Sequence, residues 1–585
     1  MLKLIKFLKP YYLSAAAALG LIFLQAVAEL LLPTLMADIV DIGVVNGDIA
    51  YIFQVGGLMI IVTLAGTLCA VAASFLSART ATAFGRDLRS AVFRKVEEFS
   101  LSEFDRFGTS SLTIRTTNDI TQIQQVVMMS MRIMARAPMM AVGGIIMAVS
   151  KSASLSVTIV FAVPVIFLAI HLVARKGLPL FQKIQTKLDR VNQVLRENLT
   201  GVRVIRAFNK TEEEKNRFKE PNRALTLTTV SASKIMAAMM PLMMLILNFT
   251  TIAVFWFGGL KIDQGTMQVG ELMAFIQYVM QIMFSLIMVS TIFVMIPRAS
   301  VSAARVNEVF DTKPAIKEFL KEQAGLASGT GEKEQAVSNG KGLLEFQNVT
   351  FSYPGAEKPV LKDISFTAEP GKVTAIIGST GSGKSTLLNL IPRFYDPQQG
   401  KILLDGVDIK ELPPKTLRDK IGYVPQKAVL FSGTIAENIR YGKEDATIEE
   451  IAAAAETAQA AEFINRNNGL EAPISQGGTN ISGGQKQRLS IARALIRRPQ
   501  ILLFDDSFSA LDYKTDARLR QALKRATAGA TVLVVAQRVS TIIDADQIIV
   551  LDEGEIAGIG THKELLKGYA VYREIVSSQY AEEIV

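Results

Sequence analysis

Val373–Ile391 reads VTAIIGSTGSGKSTLLNLI: an apolar strand, a glycine-rich turn and the start of a helix. Its centre, Gly378, Ser379, Thr380, Gly381, Ser382, Gly383, Lys384 and Ser385, fits the pattern G-x-x-x-x-G-K-[ST], and Thr386 follows inside the helix. Glycines let consecutive backbone N–H groups curl around phosphate oxygens, and the helix that follows adds its positive end. The pattern therefore predicts a P-loop. Lys384 is expected at the β- and γ-phosphates of a nucleotide, and Ser385 on Mg²⁺.

Two further stretches belong to the same chemistry. Ile501–Asp512, ILLFDDSFSALD, is an apolar strand that delivers Asp505 and Asp506 at its C-terminal end. In an α/β domain that end is where ligands bind, and Asp505 is the expected second protein ligand to Mg²⁺. In TNISGGQKQRLSIARAL, Ser482, Gly483 and Gly484 open a helix that runs to about Leu495. Locally this is either a second phosphate-binding helix end or an ordinary serine N-cap. One phosphate does not need two helix ends from the same side, so the first reading sends this end to a nucleotide held by another subunit.

Outward from these motifs the chain changes character. It has 585 residues, a net charge of +9 and 49% hydrophobic residues, and a mean hydropathy of +0.30. Residues 10–28, 49–78, 235–260 and 272–297 contain no charge, and 137–174 contain only Lys151. At about 1.5 Å per residue each single run can cross a bilayer, and 137–174 reads as a hairpin whose first arm begins near Val126, with Arg132 and Arg136 at its cytoplasmic interface. Six spans are expected. No Lys or Arg occurs between Lys9 and Arg79, whereas 79–136 and 175–234 are rich in both. The basic segments and both termini are therefore predicted on the cytoplasmic side of the cell membrane. The same charge pattern accounts for the basic excess without nucleic acid, since no basic run is interleaved with aromatics. A lone Cys69 excludes an internal disulfide.

The basic segments ARTATAFGRDLRSAVFRKVEEFS (78–100) and FQKIQTKLDRVNQVLRENL (181–199) read as amphipathic helices that extend the spans. LSEFDRFGTSSL (101–112) and GVRVIRAFNKTEEE (201–214) follow them, as solvated turns or as short helices that touch another domain. The expected division is a membrane domain over 1–310, a Gly-, Ser- and charge-rich linker over 311–342 and an α/β nucleotide-binding domain over 343–585. All 21 methionines lie at or before Met295.

The motifs, in this order, resemble those of an ABC transporter half-molecule of the exporter type, and the resemblance covers nearly the whole chain. ISGGQ, ending at Gln485, stands at the family's signature, with Ile481 where Leu is usual. Tyr353 in FSYPG matches the aromatic that stacks on adenine. Gln426 in YVPQ matches the glutamine that contacts Mg²⁺ and senses the membrane domain. Ser509–Asp512 matches the D-loop, and the two short cytoplasmic segments match coupling regions. The resemblance implies ATP and Mg²⁺ as ligands and a second half-transporter as partner.

The sequence departs from the family at Asp506, where a catalytic glutamate is usual, and at Gln537 in VVAQRVS, where a histidine is usual; Gln476 also replaces a common Glu. Shortening the base by one methylene withdraws its carboxylate, and misplacement on the order of 1 Å can cost about 10²-fold in rate. Glutamine can hydrogen-bond a γ-phosphate but cannot carry histidine's charge. This resembles the subunit of heterodimeric bacterial multidrug exporters that carries the degenerate ATP site. The other reading is tolerated drift in a homodimer.

For the cargo, the methionine-rich stretches VVMMSMRIMARAPMM, KIMAAMMPLMMLIL and MVSTIFVMIP suit a surface that accepts many shapes, or ordinary packing. Glu29 lies inside an apolar helix, where it would draw cationic substrates or serve a structural hydrogen bond. Gln277 and Gln281 add polar groups at helical spacing. Hydrophobic or cationic small molecules, membrane lipid and peptides all remain possible cargo, as does a non-transporting regulatory role.

Overall fold

The computed structural model describes residues 2–316 and 340–582. It divides into two compact units, residues 1–97 with 109–312, and residues 98–108 with 313–585. Most of the expected linker, residues 317–339, lies outside the described residues.

The first unit is helical: α1 (Tyr12–Asp38), α2 (Ile49–Glu97), then α3 (Leu101–Phe107), which belongs to the second unit, α4 (Thr109–Thr116), α5 (Asn118–Met129), α6 (Ala135–Lys151), α7 (Val157–Thr200), α8 (Val202–Ala207), α9 (Thr211–Asp263) and α10 (Val269–Asp311). Six of these stretches are long and apolar enough to cross a membrane. The hairpin expected over 137–174 is α6 and α7, with its turn at 152–156. Large apolar side chains such as Phe53, Leu68, Phe161 and Trp256 point outward on these helices, as a lipid-facing surface requires. Between α5 and α6 the helix widens into a π-helical turn, Ser130–Met134.

Close packing and a few polar clasps hold the spans. A Cβ on Gly144 of α6 would come within 2.8 Å of Ile282 on α10, so only glycine admits this approach. Tyr278, fully buried on α10, shares a 2.6 Å hydrogen bond with Thr34 and donates to the Leu30 carbonyl at 3.0 Å. Asp41 accepts from the backbone N–H groups of Gly270 and Glu271 and so caps α10. Near the far end of α10, Arg305 and Ser302 hold the fully buried Asp119 of α5.

The second unit is α/β. Strands β1 (Leu344–Phe351), β2 (Leu361–Ala368), β3 (Val373–Gly378), β4 (Gln399–Leu404), β5 (Val407–Asp408), β6 (Ile421–Val424), β7 (Gly433–Thr434), β8 (Pro473–Ile474), β9 (Ile501–Asp505), β10 (Thr531–Val535), β11 (Gln547–Asp552) and β12 (Glu555–Gly560) form three sheets. The main sheet has the order β12-β11-β3-β10-β9-β6. Its strands are parallel except for β12. β9 and β10 are buried at every residue, which explains their unbroken apolar sequences. The four-stranded sheet β2-β1-β4-β5 is antiparallel.

Candidate active site

Strand order alone gathers the site. β3, β10, β9 and β6 lie side by side and parallel, so their C-terminal ends share one edge. That edge carries the glycine loop after β3, Gln537 just beyond β10, Asp505 and Asp506 at the end of β9, and Gln426 just beyond β6. Residues far apart in sequence thus converge where α/β sheets bind ligands.

The loop closes onto helix α11 (Lys384–Leu390). Gly381 and Gly383 have φ of +88° and +94°, and a Cβ on Gly383 would sit 2.7 Å from Leu361. Non-glycine residues could not hold this curl. Lys384 Nζ donates to the Gly378 and Ser379 carbonyls at 2.8 and 2.6 Å. Burial depresses its pKa, partly offset by Asp506 and Asp505. Lys384 Nζ also reaches Ser382 Oγ at 3.5 Å, and an ammonium held by the loop's own oxygens fits a group poised to exchange them for phosphate oxygens. Ser385 Oγ donates to Asp505 Oδ1 at 2.8 Å, a hard-oxygen pair suited to Mg²⁺. Burial, with the neighbouring Asp506, pushes the Asp505 carboxyl up, against the Ser385 hydrogen bond.

Asp506 is the centre of a small polar cluster. Its Oδ2 accepts from Gln537 Nε2 at 2.8 Å and from Gln426 Nε2 at 3.3 Å. The residue is 8% exposed, and burial raises its pKa despite the hydrogen bonds from Gln426 and Ser509. Its φ is +46°, a left-handed backbone that Asp adopts more readily than longer side chains. Ser507 Oγ donates to the Val424 carbonyl and ties this turn to β6.

Tyr353 shares a 3.0 Å hydrogen bond with Thr386 and packs edge-on against Tyr395, with ring centroids 5.3 Å apart. The Tyr395 hydroxyl donates to Asp105 Oδ2 on α3 at 2.5 Å. Burial and Asp105 both push this hydroxyl's pKa up. The segment after α2 thus begins as a helix, opened by a Ser100–Glu103 capping box, and it bonds within the second unit. Sequence reading missed Tyr395, which belongs to none of the motifs.

Ser482 caps helix α12 (Gly483–Leu495), and Gln485 completes the capping box. The Gln485 N–H donates to Ser482 Oγ at 3.3 Å, and the Ser482 N–H donates to Gln485 Oε1 at 2.9 Å. The structure does not bring them onto this chain's glycine loop through any hydrogen bond. Gln487, one turn on, donates to the Pro425 carbonyl at 3.2 Å and ties the signature helix to the glutamine segment.

In the membrane unit the polar residues are paired differently from a cation trap. Arg136 donates to both Glu29 oxygens, at 2.8 and 2.6 Å, and Gln25 donates to Oε1. Gln277 donates to the Met36 sulfur, and Gln281 to the Glu29 carbonyl at 3.4 Å. Glu29 thus takes the structural alternative, with its charge already matched.

A P-loop, its acidic partner strand and a signature helix on one α/β unit, preceded by six spans, define an ATP-driven membrane transporter. The models of the ABC transporter transmembrane region and of the ABC transporter domain match residues 16–286 and 361–509. An uncharacterised ABC transporter ATP-binding protein of Mycobacterium tuberculosis is 44% identical over 576 residues, 98% of this chain and 97% of the relative. The ATP-dependent lipid A-core flippase of Chromobacterium violaceum is 32% identical over 562 residues, 95% and 92% of the two chains. A solved bacterial Atm1-family ABC exporter with ATP bound superposes with a TM-score of 0.79 at 26% identity, covering 97% of this chain and 99% of that one. The chain belongs to the ABC transporter family, as an exporter-type half-transporter whose membrane domain is fused to an ATP-binding domain. It is a multi-pass membrane protein, and its ATPase domain drives transport.

Proposed function

We propose that this chain is one of two unlike subunits of an exporter of hydrophobic or amphipathic compounds, and that its own ATP site is hydrolytically impaired. The observation that carries this reading is the Asp506 cluster: both amide donors, Gln537 and Gln426, converge on one carboxylate oxygen. Neither amide can take or give a proton at neutral pH, so the γ-phosphate end lacks both a full-length base and an imidazole. ATP would still bind. Tyr353 would stack on adenine, the glycine loop and Lys384 would hold the phosphates, and Ser385, Asp505 and Gln426 would ligate Mg²⁺, which supplies charge neutralisation when bound. Ser482, Gly483 and Gly484 would complete the partner's site, where most hydrolysis would occur. The termini and the α2 and α7 extensions would lie in the cytoplasm, with 1–310 and 343–585 as membrane and motor domains.

The test is the chain purified alone. It should hydrolyse ATP far below about 1 s⁻¹, the lower end of ordinary turnover, and gain activity with the correct second subunit. Turnover of about 1 s⁻¹ or more by the chain alone would end the two-subunit reading. Lipid is the second cargo reading, favoured by the resemblance to the lipid A-core flippase.

A further inference from the structure

Helices α1, α2, α5, α6 and α10 and the π-helical turn Ser130–Met134 line an open cavity of about 420 Å³ in the membrane unit. Its wall includes Gln25, Ser74, Met128, Met288, Arg132 and Arg136, and no carboxylate. Arg136 is matched by Glu29, at 2.6 Å. Arg132 has no hydrogen bond or ion pair among the described residues. Among the described residues the cavity therefore carries one positive charge, at Arg132, that no acidic group matches.

Arg132 is exposed, and a basic group beside a cavity between spans, at the cytoplasmic edge, is placed to meet an anionic lipid headgroup. The π-helical turn that carries Arg132 is a second, independent mark, because such bulges cluster at functional sites. Depth follows from helix geometry. Lys151 ends α6, nineteen residues beyond Arg132, so the two cations lie about 28 Å apart, close to one hydrocarbon thickness. Arg132 stands at one interface, Lys151 at the other. The basic segments on Arg132's side make that interface the cytoplasmic one. The methionines and Ile22 offer an adaptable apolar wall next to the charge.

We propose that this cavity binds an anionic amphiphile from the cytoplasmic leaflet, with a carboxylate or phosphate on Arg132, hydrogen bonds from Gln25 and Ser74, and an acyl chain along the methionines. This rests on the exporter reading and reverses the charge of the cargo that Glu29 alone suggests. The headgroup can come from a free fatty acid or from an acidic phospholipid.

The test is binding to the full-length chain in neutral detergent, without nucleotide, so that its failure leaves the export reading standing. Fluorescent cis-parinaric acid and its methyl ester are titrated at about pH 8, where the acid is ionised. The acid should bind about tenfold tighter than the ester. Arg132→Gln should shrink that ratio below about threefold with ester affinity unchanged, and Arg132→Lys should keep most of it. Ser74→Phe, which fills the cavity without changing charge, should weaken both ligands. Displacement of the probe by phosphatidic acid points to a phospholipid source, and displacement by dodecanoate alone to a fatty acid. Equal binding of acid and ester, an Arg132→Gln ratio like wild type, or equal displacement by phosphatidylcholine would overturn the proposal.

Discussion

Asp506→Asn distinguishes an impaired site from a working one. The amide oxygen of the asparagine can still accept from Gln537 and Gln426, now 2.8 and 3.3 Å from Oδ2, and asparagine tolerates the +46° backbone. Only the charge is lost. If that carboxylate were the general base, its removal would cost about 10²- to 10⁴-fold in turnover. If it is already misplaced, the loss stays within about threefold. The contrast is Gly483→Asp. A Cβ at Gly483 meets nothing within 4 Å, so the new side chain fits, and its effect is electrostatic: a negative charge at the end of α12 that would face the partner's phosphate. That should cost about 10²-fold or more. Steady-state ATPase of the two-subunit complex is measured for both variants. A larger loss for Asp506→Asn than for Gly483→Asp refutes the assignment. Stability gives an independent reading. Burial raises the folded Asp506 pKa above its ordinary 3.8, so the folded state binds more protons than the unfolded chain above that pH. Stability of the empty domain is therefore lost as pH rises through the raised value. Asp506→Asn removes that penalty and should raise the apo melting temperature by about 1–3 °C at neutral pH, with no gain below about pH 4.

Tyr395→Phe removes the hydroxyl donor to Asp105; because Asp105 is exposed, water replaces part of the bond, leaving a cost of about 1 kcal/mol. Hydrogen exchange in residues 101–107 should quicken about fivefold, and unchanged exchange would show that the contact does not hold α3. Glu29→Leu strands Arg136 and should destabilise the membrane unit by about 1–3 kcal/mol, while the Glu29→Leu/Arg136→Leu double variant should recover at least half of the loss. Additive losses in detergent unfolding would mean that the pair is not coupled.

Local chemistry was legible where sequence and geometry share a cause. The glycine loop, the apolar β9 and the serine-capped α12 are set by neighbours along the chain, and the sequence names them directly. Parallel pairing of β3, β10, β9 and β6 then places Asp505, Asp506, Gln537 and Gln426 on one edge with no further information. Contacts between distant side chains left no such trace. Tyr395 and Asp105 lie 290 residues apart, and Glu29 and Arg136 lie 107 apart. Read singly, Glu29 is an unmatched acid and Arg136 an interfacial base; only folding shows that each cancels the other. The π-helical turn is also silent in sequence, because a single extra residue in a helix changes no apolar period that a short window detects.

The cavity beside Arg132 has a practical property as well. Its wall contains methionines, while every residue beyond Met295 is free of them. Isotope placed on methionine methyl groups would therefore light up the membrane helices alone and leave the ATP-binding domain dark. Resonances from Met128 and Met288 would report occupancy of the cavity directly, and any change in them on adding nucleotide would be a signal carried across from a domain that contributes no signal of its own.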